Sequence, residues 1–211
     1  AATPPYQPKT VDLPEAVWQL GRQSMKLVGG DGVTWYRPAS LAELLQLRAD
    51  NQGLGCQLVA GNTTLAQRVL QPKQDEPKVG YPEPNNTPIK VFISTELIPE
   101  LNALEIDDTG KATVGASVTA TQVLKACKLA AKTKSAVVTG FLEEIIKLFP
   151  WIGNTHIRNV ETVGGNIANC HGKSDLYPIL LAADATVLLQ SASGQRTLAL
   201  RDFVIGYEQT A

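Results

Sequence analysis

Apolar and polar positions along the chain divide it into short strands and medium-length helices. Thr34-Trp35-Tyr36-Arg37 is a β-prone run that Pro38 ends. Ser40-Leu41-Ala42-Glu43 follows as a capping box, and leucines at 41, 44, 45 and 47 share one apolar face of a helix expected to reach about Ala49. Gly53 and Gly55 stop that helix before the β-run Gln57-Leu58-Val59-Ala60. A strand, a helix and a strand in this order favour parallel pairing. Ile89 to Ser94 resumes a strand, and Ala103 to Ile106 and Ala112 to Gly115 flank Asp107-Asp108-Thr109-Gly110 as a hairpin.

Further along, apolar residues at three- and four-residue spacing predict helices over Thr119 to Lys132 and Phe141 to Phe149, the second ended by Pro150. Leu176 to Ala183 reads as a helix, and Thr186 to Gln190 and Thr197 to Leu200 as a hairpin across Ser193-Gly194. Residues 1–33, with prolines early and a glycine cluster late, read as an interdomain linker around one helix-like patch from Glu15 to Leu20. Five prolines within residues 71–88 mark a surface loop that looks inserted. The expected fold class is α+β: a small strand–helix lobe over about residues 34–94, then a larger lobe over about 95–211 richer in antiparallel strands.

Composition narrows the function classes. A chain of 211 residues with 44% hydrophobic content can bury a sizeable core. Nineteen basic and twenty acidic residues give a net charge of −1, which points to neither a nucleic-acid nor a membrane-surface partner. No run approaches the roughly 18 apolar residues of a membrane span, and the first residues lack the pattern of a signal peptide. Cys56, Cys127 and Cys170 are odd in number and contain no C-x-x-C pair, which argues against a disulfide framework or a cluster site and weakly favours the cytoplasm. With only His156 and His171 present, no metal is expected.

Three segments could carry chemistry. In Leu58-Val59-Ala60-Gly61-Asn62-Thr63-Thr64-Leu65 a strand runs into a glycine, whose backbone can approach a ligand closely, and then into amides and hydroxyls that could surround a diphosphate without formal charge. An ordinary strand-to-helix turn with threonine caps reads the same residues equally well. Thr162-Val163-Gly164-Gly165-Asn166, continuing through Ile167-Ala168-Asn169, is read as a tight turn exposing a row of amides. Two such turns without lysine favour a dinucleotide over a simple nucleotide, and neither is a P-loop or a Rossmann fingerprint. Asp175, after Ser174 and ahead of a helix, could cap that helix or bind a ribose or adenine edge.

In order along the chain, Trp35-Tyr36-Arg37-Pro38, Leu58 to Leu65, Ile98-Pro99-Glu100-Leu101-Asn102-Ala103, Ile157-Arg158-Asn159-Val160, Thr162 to Asn169 and Ser174-Asp175-Leu176 resemble the flavin domain of the xanthine dehydrogenase and aldehyde oxidase family. The resemblance covers about residues 33–211. It implies a two-lobed, PCMH-type domain with FAD between the lobes, the Leu58 to Leu65 loop and the Thr162 to Asn166 turn at the diphosphate, and Asn169 and Asp175 among the cofactor contacts. It also implies iron–sulfur and molybdenum domains elsewhere in a homodimeric parent, with electrons from a molybdenum centre reaching FAD through two 2Fe-2S clusters and leaving to NAD or dioxygen. Flavin suits that junction because it accepts electrons singly and releases them as a pair.

This sequence departs from the family pattern in places. Asn169-Cys170-His171-Gly172-Lys173 replaces a small-residue, proline-containing stretch, and Ile152 stands where the family commonly stacks an aromatic ring on the flavin, with Trp151 adjacent and Phe149 near. By the resemblance, a complete flavin domain is expected to have a further part after Ala211. Two other readings follow: a structural or assembly subunit that keeps the fold with weak flavin chemistry, and a free-standing flavin reductase or oxidase.

Overall fold

The computed structural model describes residues 12–65, 89–207 and 209–211, with the side chains of residues 136–138 outside the description. The proline-rich stretch at 71–88 and residues 1–11 of the expected linker lie outside the described residues. The chain first forms α1 (Glu15–Gly21), none of whose residues is buried, and then β1 (Met25–Val28) and β2 (Thr34–Arg37). These two strands pair antiparallel from Met25 opposite Arg37 to Val28 opposite Thr34. The linker reading of residues 1–33 therefore misses a strand. All four β1 residues are exposed at the sheet edge, so no buried face marks it in the sequence.

Ser40 caps α2 (Leu41–Asp50) by accepting from the Glu43 amide, and the Glu43 carboxylate reaches back to the Ala39 amide and to Ser24. β3 (Cys56–Val59) and β4 (Val91–Ser94) complete a sheet of order β1-β2-β4-β3. The strand–helix–strand unit is parallel as expected, with β4 between its two strands and parallel to both. Leu44 of α2 packs on Val91, Ile93 and Ile98 to form the core of this part. Because β2, β3 and β4 run the same way, their carboxyl ends leave the sheet along one edge, where ligands of such sheets usually bind.

The rest of the chain is helices and antiparallel ribbons. α3 (Pro99–Asn102) leads into the hairpin β5 (Leu104–Ile106) and β6 (Ala112–Val114), which matches the sequence reading. Thr119 and Gln122 form the capping box of α4 (Ala120–Thr133). α5 (Ala136–Leu148) begins five residues earlier than its periodicity suggests, because Val137, Val138 and Gly140 lower the helix signal without preventing the helix. A 3₁₀ turn, Phe149–Trp151, follows at Pro150. Then come α6 (Thr155–Arg158), α7 (Val163–Asn169) and α8 (Leu176–Ala182). The expected hairpin is β7 (Thr186–Ser191) with β8 (Gly194–Ala199), and α9 (Leu200–Phe203) leads to the pair β9 (Val204–Gly206) and β10 (Gln209–Thr210).

Phe149 and Ile152 are buried with Ala120 and Leu176, while Cys170, Leu200 and Phe203 make a second cluster behind the β7–β8 ribbon. Among the described residues no helix is long and apolar enough to cross a membrane.

Burial predicts a sharp contrast in the first sheet. Ile93→Ala, at a position with no exposed surface, should cost about 3 kcal/mol in urea unfolding, whereas Leu27→Ala, 55% exposed, should cost less than about 0.5 kcal/mol. Equal costs would mean that the apolar residues of β1 are covered.

Candidate functional site

The Leu58 to Leu65 segment leaves the sheet at the carboxyl end of β3. Buried Thr95 fixes that exit: its amide donates to the Val59 carbonyl at 3.0 Å, its hydroxyl lies 3.4 Å from the same oxygen, and Ser117 Oγ donates to Thr95 Oγ1 at 2.7 Å. Beyond it, Asn62 takes a left-handed backbone, φ 55°, which asparagine tolerates better than most residues. A left-handed residue between ordinary ones turns successive amides towards one side, the geometry of an anion nest. Among the described residues, the backbone amides of 61–65 have no acceptor. The segment contains neither lysine nor arginine, so its donors are neutral: five amides, the Thr63 and Thr64 hydroxyls and the Asn62 carboxamide.

Gly61 then meets the chain again near residue 160. A Cβ on Gly61 would fall within the Val160 carbonyl and 3.2 Å from Glu161 Cα. Three neighbours hold Val160 in place. Asn154 caps α6 by accepting from the Ile157 amide, and Arg158 donates to the carbonyls of Ile152 and Gly153 at 2.9 and 2.8 Å and to Thr155 Oγ1 at 3.1 Å. Asn159 Oδ1 accepts from Thr121 of α4 at 2.7 Å. The Ile157 to Val160 string thus works as a clamp that presents one carbonyl to one glycine.

The second predicted turn differs from expectation. Val163 to Asn169 is a helix capped by Thr162, and its leading amides all have protein acceptors. Val163 donates to Val118, Gly164 to Ala116, Gly165 to Thr162 Oγ1 and Asn166 to the Thr162 carbonyl. No row of free amides exists there. The glycine at 164 serves packing, since its Cβ would lie 2.5 Å from that of Ala116. What this segment can offer a ligand is its shape and side chains, above all Asn166, with Asn169 half-buried in the last turn.

The departing stretch after Asn169 is anchored at Cys170 and His171, while Gly172 and Lys173 are exposed. Cys170 takes a left-handed C-cap position, φ 46°, and its buried thiol donates to the Ile167 carbonyl. Burial pushes that thiol's pKa up, so it stays protonated and unsuited to attack on a flavin. The His171 ring lies against Tyr207, with centroids 5.3 Å apart, and His171 Nδ1 accepts from the Lys173 amide. Ser174 caps α8 by accepting from the Tyr177 amide at 3.2 Å. Asp175 is therefore released from capping, and its exposed carboxylate has no partner among the described residues. Ile152 and Phe149 are core residues, and Trp151 is 78% exposed.

The structure thus joins the first segment to the second through Gly61 and Val160, and the second to Asp175 through Asn166 and Ser174. Sequence reasoning missed Thr95, Arg158 and Asn159 as the residues that hold these segments. Arg158 and Asn159 carried a signal in the Ile157 to Val160 string of the resemblance, whereas Thr95 lay in none of its strings. A cleft of about 520 Å³ between α2 and the β7–β8 turn, lined by Ala42, Leu45, Gln46 and residues 190–195, is bordered by none of the predicted site residues.

Residues 31–211 match the model of the FAD binding domain in molybdopterin dehydrogenase. The chain belongs to that family. Xanthine dehydrogenase 2 of Arabidopsis thaliana is 31% identical to it over 205 residues, 97% of this chain and 14% of the plant protein. Xanthine dehydrogenase/oxidase of Gallus gallus is 29% identical over 199 residues, 93% of this chain and 14% of that protein. The domain thus spans about one seventh of the length of the curated relatives it matches. In fold it is similar to the reconstituted CO dehydrogenase from Oligotropha carboxidovorans, with a TM-score of 0.66 at 22% identity, covering 88% of this chain and 56% of the other. Quinoline 2-oxidoreductase from Pseudomonas putida 86 gives 0.63 at 21% identity, covering 82% and 52%. The α+β class and the resemblance to xanthine dehydrogenases and aldehyde oxidases agree with these findings.

Two sets of measurements test the geometry of this FAD-binding domain. Gly61→Ala and Gly164→Ala should each cost at least about 1–3 kcal/mol by overpacking, a fall in thermal midpoint of about 2–4 °C per kcal/mol. Gly53→Ala, where a Cβ meets nothing within 4 Å, should stay within about 0.5 kcal/mol. A thiol reagent should label half-buried Cys56 ahead of Cys127 and Cys170, which are buried and whose pKa values burial raises. Labelling of Cys170 at the rate of Cys56 in the folded protein would contradict the packing described.

Proposed function

We propose that this domain holds FAD noncovalently, with the diphosphate on the Leu58 to Leu65 loop, and serves as the electron exit of a longer molybdenum hydroxylase. The observation that carries the proposal is the run of amides at 61–65 that have no acceptor among the described residues, set by Gly61 against the polar clamp at Val160. Neutral amides and hydroxyls suit a diphosphate whose charge is shared with solvent cations, because they donate hydrogen bonds without fixing the phosphates to one lysine. Within this proposal Thr162, Val163, Gly164 and Gly165 shape the neighbouring wall, Asn166 and Asn169 supply side-chain polar groups, and Asp175 accepts from hydroxyl or amino donors of the cofactor.

When bound, FAD supplies one- and two-electron chemistry at a single ring system. The protein's own residues bind and orient. No general acid or base is assigned, since electron transfer calls for neither. The clusters and the molybdenum cofactor belong to other domains of the parent, which we take to be a cytoplasmic homodimer, and NAD or dioxygen is the electron acceptor.

Titration of the protein with FAD, read by flavin absorbance and bleached with dithionite, tests the proposal. Asp175→Ala should weaken FAD binding about tenfold, the loss of one hydrogen bond to a charged group, and should leave the unliganded protein's thermal midpoint unchanged. Absence of flavin binding would favour an assembly subunit. Sustained NADH oxidation by the isolated domain would favour a free-standing reductase. Reoxidation of the reduced flavin protein by NAD or by dioxygen distinguishes the acceptors.

A further inference from the structure

Between the Val160 clamp and Asp175 runs a chain of side-chain hydrogen bonds through Asn166, whose other two members, Glu161 and Ser174, are not among the predicted cofactor contacts. Glu161 Oε1 accepts from Asn166 Nδ2 at 2.7 Å. Ser174 Oγ donates to Asn166 Oδ1 at 2.5 Å and accepts from the Tyr177 amide. Every group in the series has a fixed direction. A carboxylate can only accept, so Asn166 must turn its NH₂ to Glu161 and its carbonyl oxygen to Ser174. Ser174 must then donate its proton to Asn166, which leaves its lone pairs free to accept from the first turn of α8. All three side chains are half-buried, where competition from water is reduced.

The consequence falls on Asp175. Since Ser174 caps the helix, Asp175 can enter it as a first-turn residue, φ −77° and ψ −24°, with its carboxylate outside and without a partner among the described residues. If the Asn166 amide were reversed, its carbonyl oxygen would face the Glu161 carboxylate with no proton between them, and its NH₂ would face Ser174, whose hydroxyl proton would lose its present acceptor and have to turn elsewhere. Glu161 is next to the Val160 carbonyl that Gly61 meets, and its own carbonyl accepts from the Ala120 amide, so the anchor of the chain is fixed by backbone contacts.

We propose that Glu161 is a positioning residue for the FAD site, which sets the orientation of Asn166 and, through Ser174, the placement of Asp175 without touching the cofactor. This inference rests on the FAD-binding reading above.

FAD affinity, read by flavin fluorescence, would be measured for the unaltered domain and for Glu161→Leu, Glu161→Gln, Ser174→Ala and the double variant Glu161→Leu/Ser174→Ala. Exchange of the Tyr177 amide would be measured without FAD, and thermal midpoints would report folding. Glu161→Leu should raise the Kd for FAD about tenfold and speed Tyr177 exchange. Glu161→Gln, whose carbonyl can accept the same bond, should recover the affinity to within about twofold, a rescue that general loss of structure would not give. The double variant should be no weaker than Ser174→Ala alone, because both changes break one chain. In a domain that binds FAD, unchanged affinity and Tyr177 exchange in Glu161→Leu, tighter FAD binding there, or no recovery with glutamine would overturn the positioning role alone. Failure of the unaltered domain to bind FAD would overturn the flavin reading and this inference with it.

Discussion

Two stretches of backbone a hundred residues apart come together where Gly61 meets the Val160 carbonyl, and much of the site's geometry follows from that approach. A side chain at 61 would displace either the exit of β3 or the clamp built by Asn154, Arg158 and Asn159. The exit of β3 is fixed by Thr95 and Ser117, and the clamp is tied to α4 through Thr121 and through the bond from Ala120 to Glu161. The β3 exit cannot yield without disturbing the buried bonds of Thr95 and Ser117, whose unpaired groups are expensive to leave unsatisfied, and the clamp cannot yield without breaking the more exposed bonds of Asn154, Arg158 and Asn159. The glycine therefore matters less for backbone freedom than for the space it leaves to another chain segment.

This arrangement separates two kinds of residue that the family resemblance mixes. Asn102, within the Ile98 to Ala103 string, uses its carboxamide to close its own loop on the carbonyls of Ile98 and Glu96. Arg158 and Asn159 are likewise spent on neighbouring protein groups. Residues 61–65 and Asp175, in contrast, keep polar groups without partners among the described residues. The unusual Asn169 to Lys173 stretch is accommodated by burial of Cys170 and the contact of His171 with Tyr207, so it preserves a packed wall beside the site.

Most long elements were legible in the sequence for physical reasons: α2 and α4 bury one apolar face, β4 is a continuous apolar run buried on both sides with β3 beside it, and β7 alternates half-buried and exposed residues. β1 was not, since it is an edge strand exposed along its whole length. The turn read at Gly164-Gly165 was wrong for a different reason. Two glycines each cost a helix roughly 1 kcal/mol, yet Thr162 caps this one and Ala116 and Val118 accept its leading amides. Tertiary contacts thus overrode local propensity. The exit of the first segment from β3 followed from its sequence, whereas the assignment of Ser174 as cap, which freed Asp175, depended on a hydrogen bond that spacing alone could not choose.

Amide hydrogen exchange resolved to single residues, with and without FAD, tests the central claim most directly. The account predicts that FAD slows exchange at residues 61–65, whose amides gain phosphate acceptors, while amides 163–166, already bonded within the protein, change little. Strong FAD-dependent protection at 163–166 with none at 61–65 would contradict it.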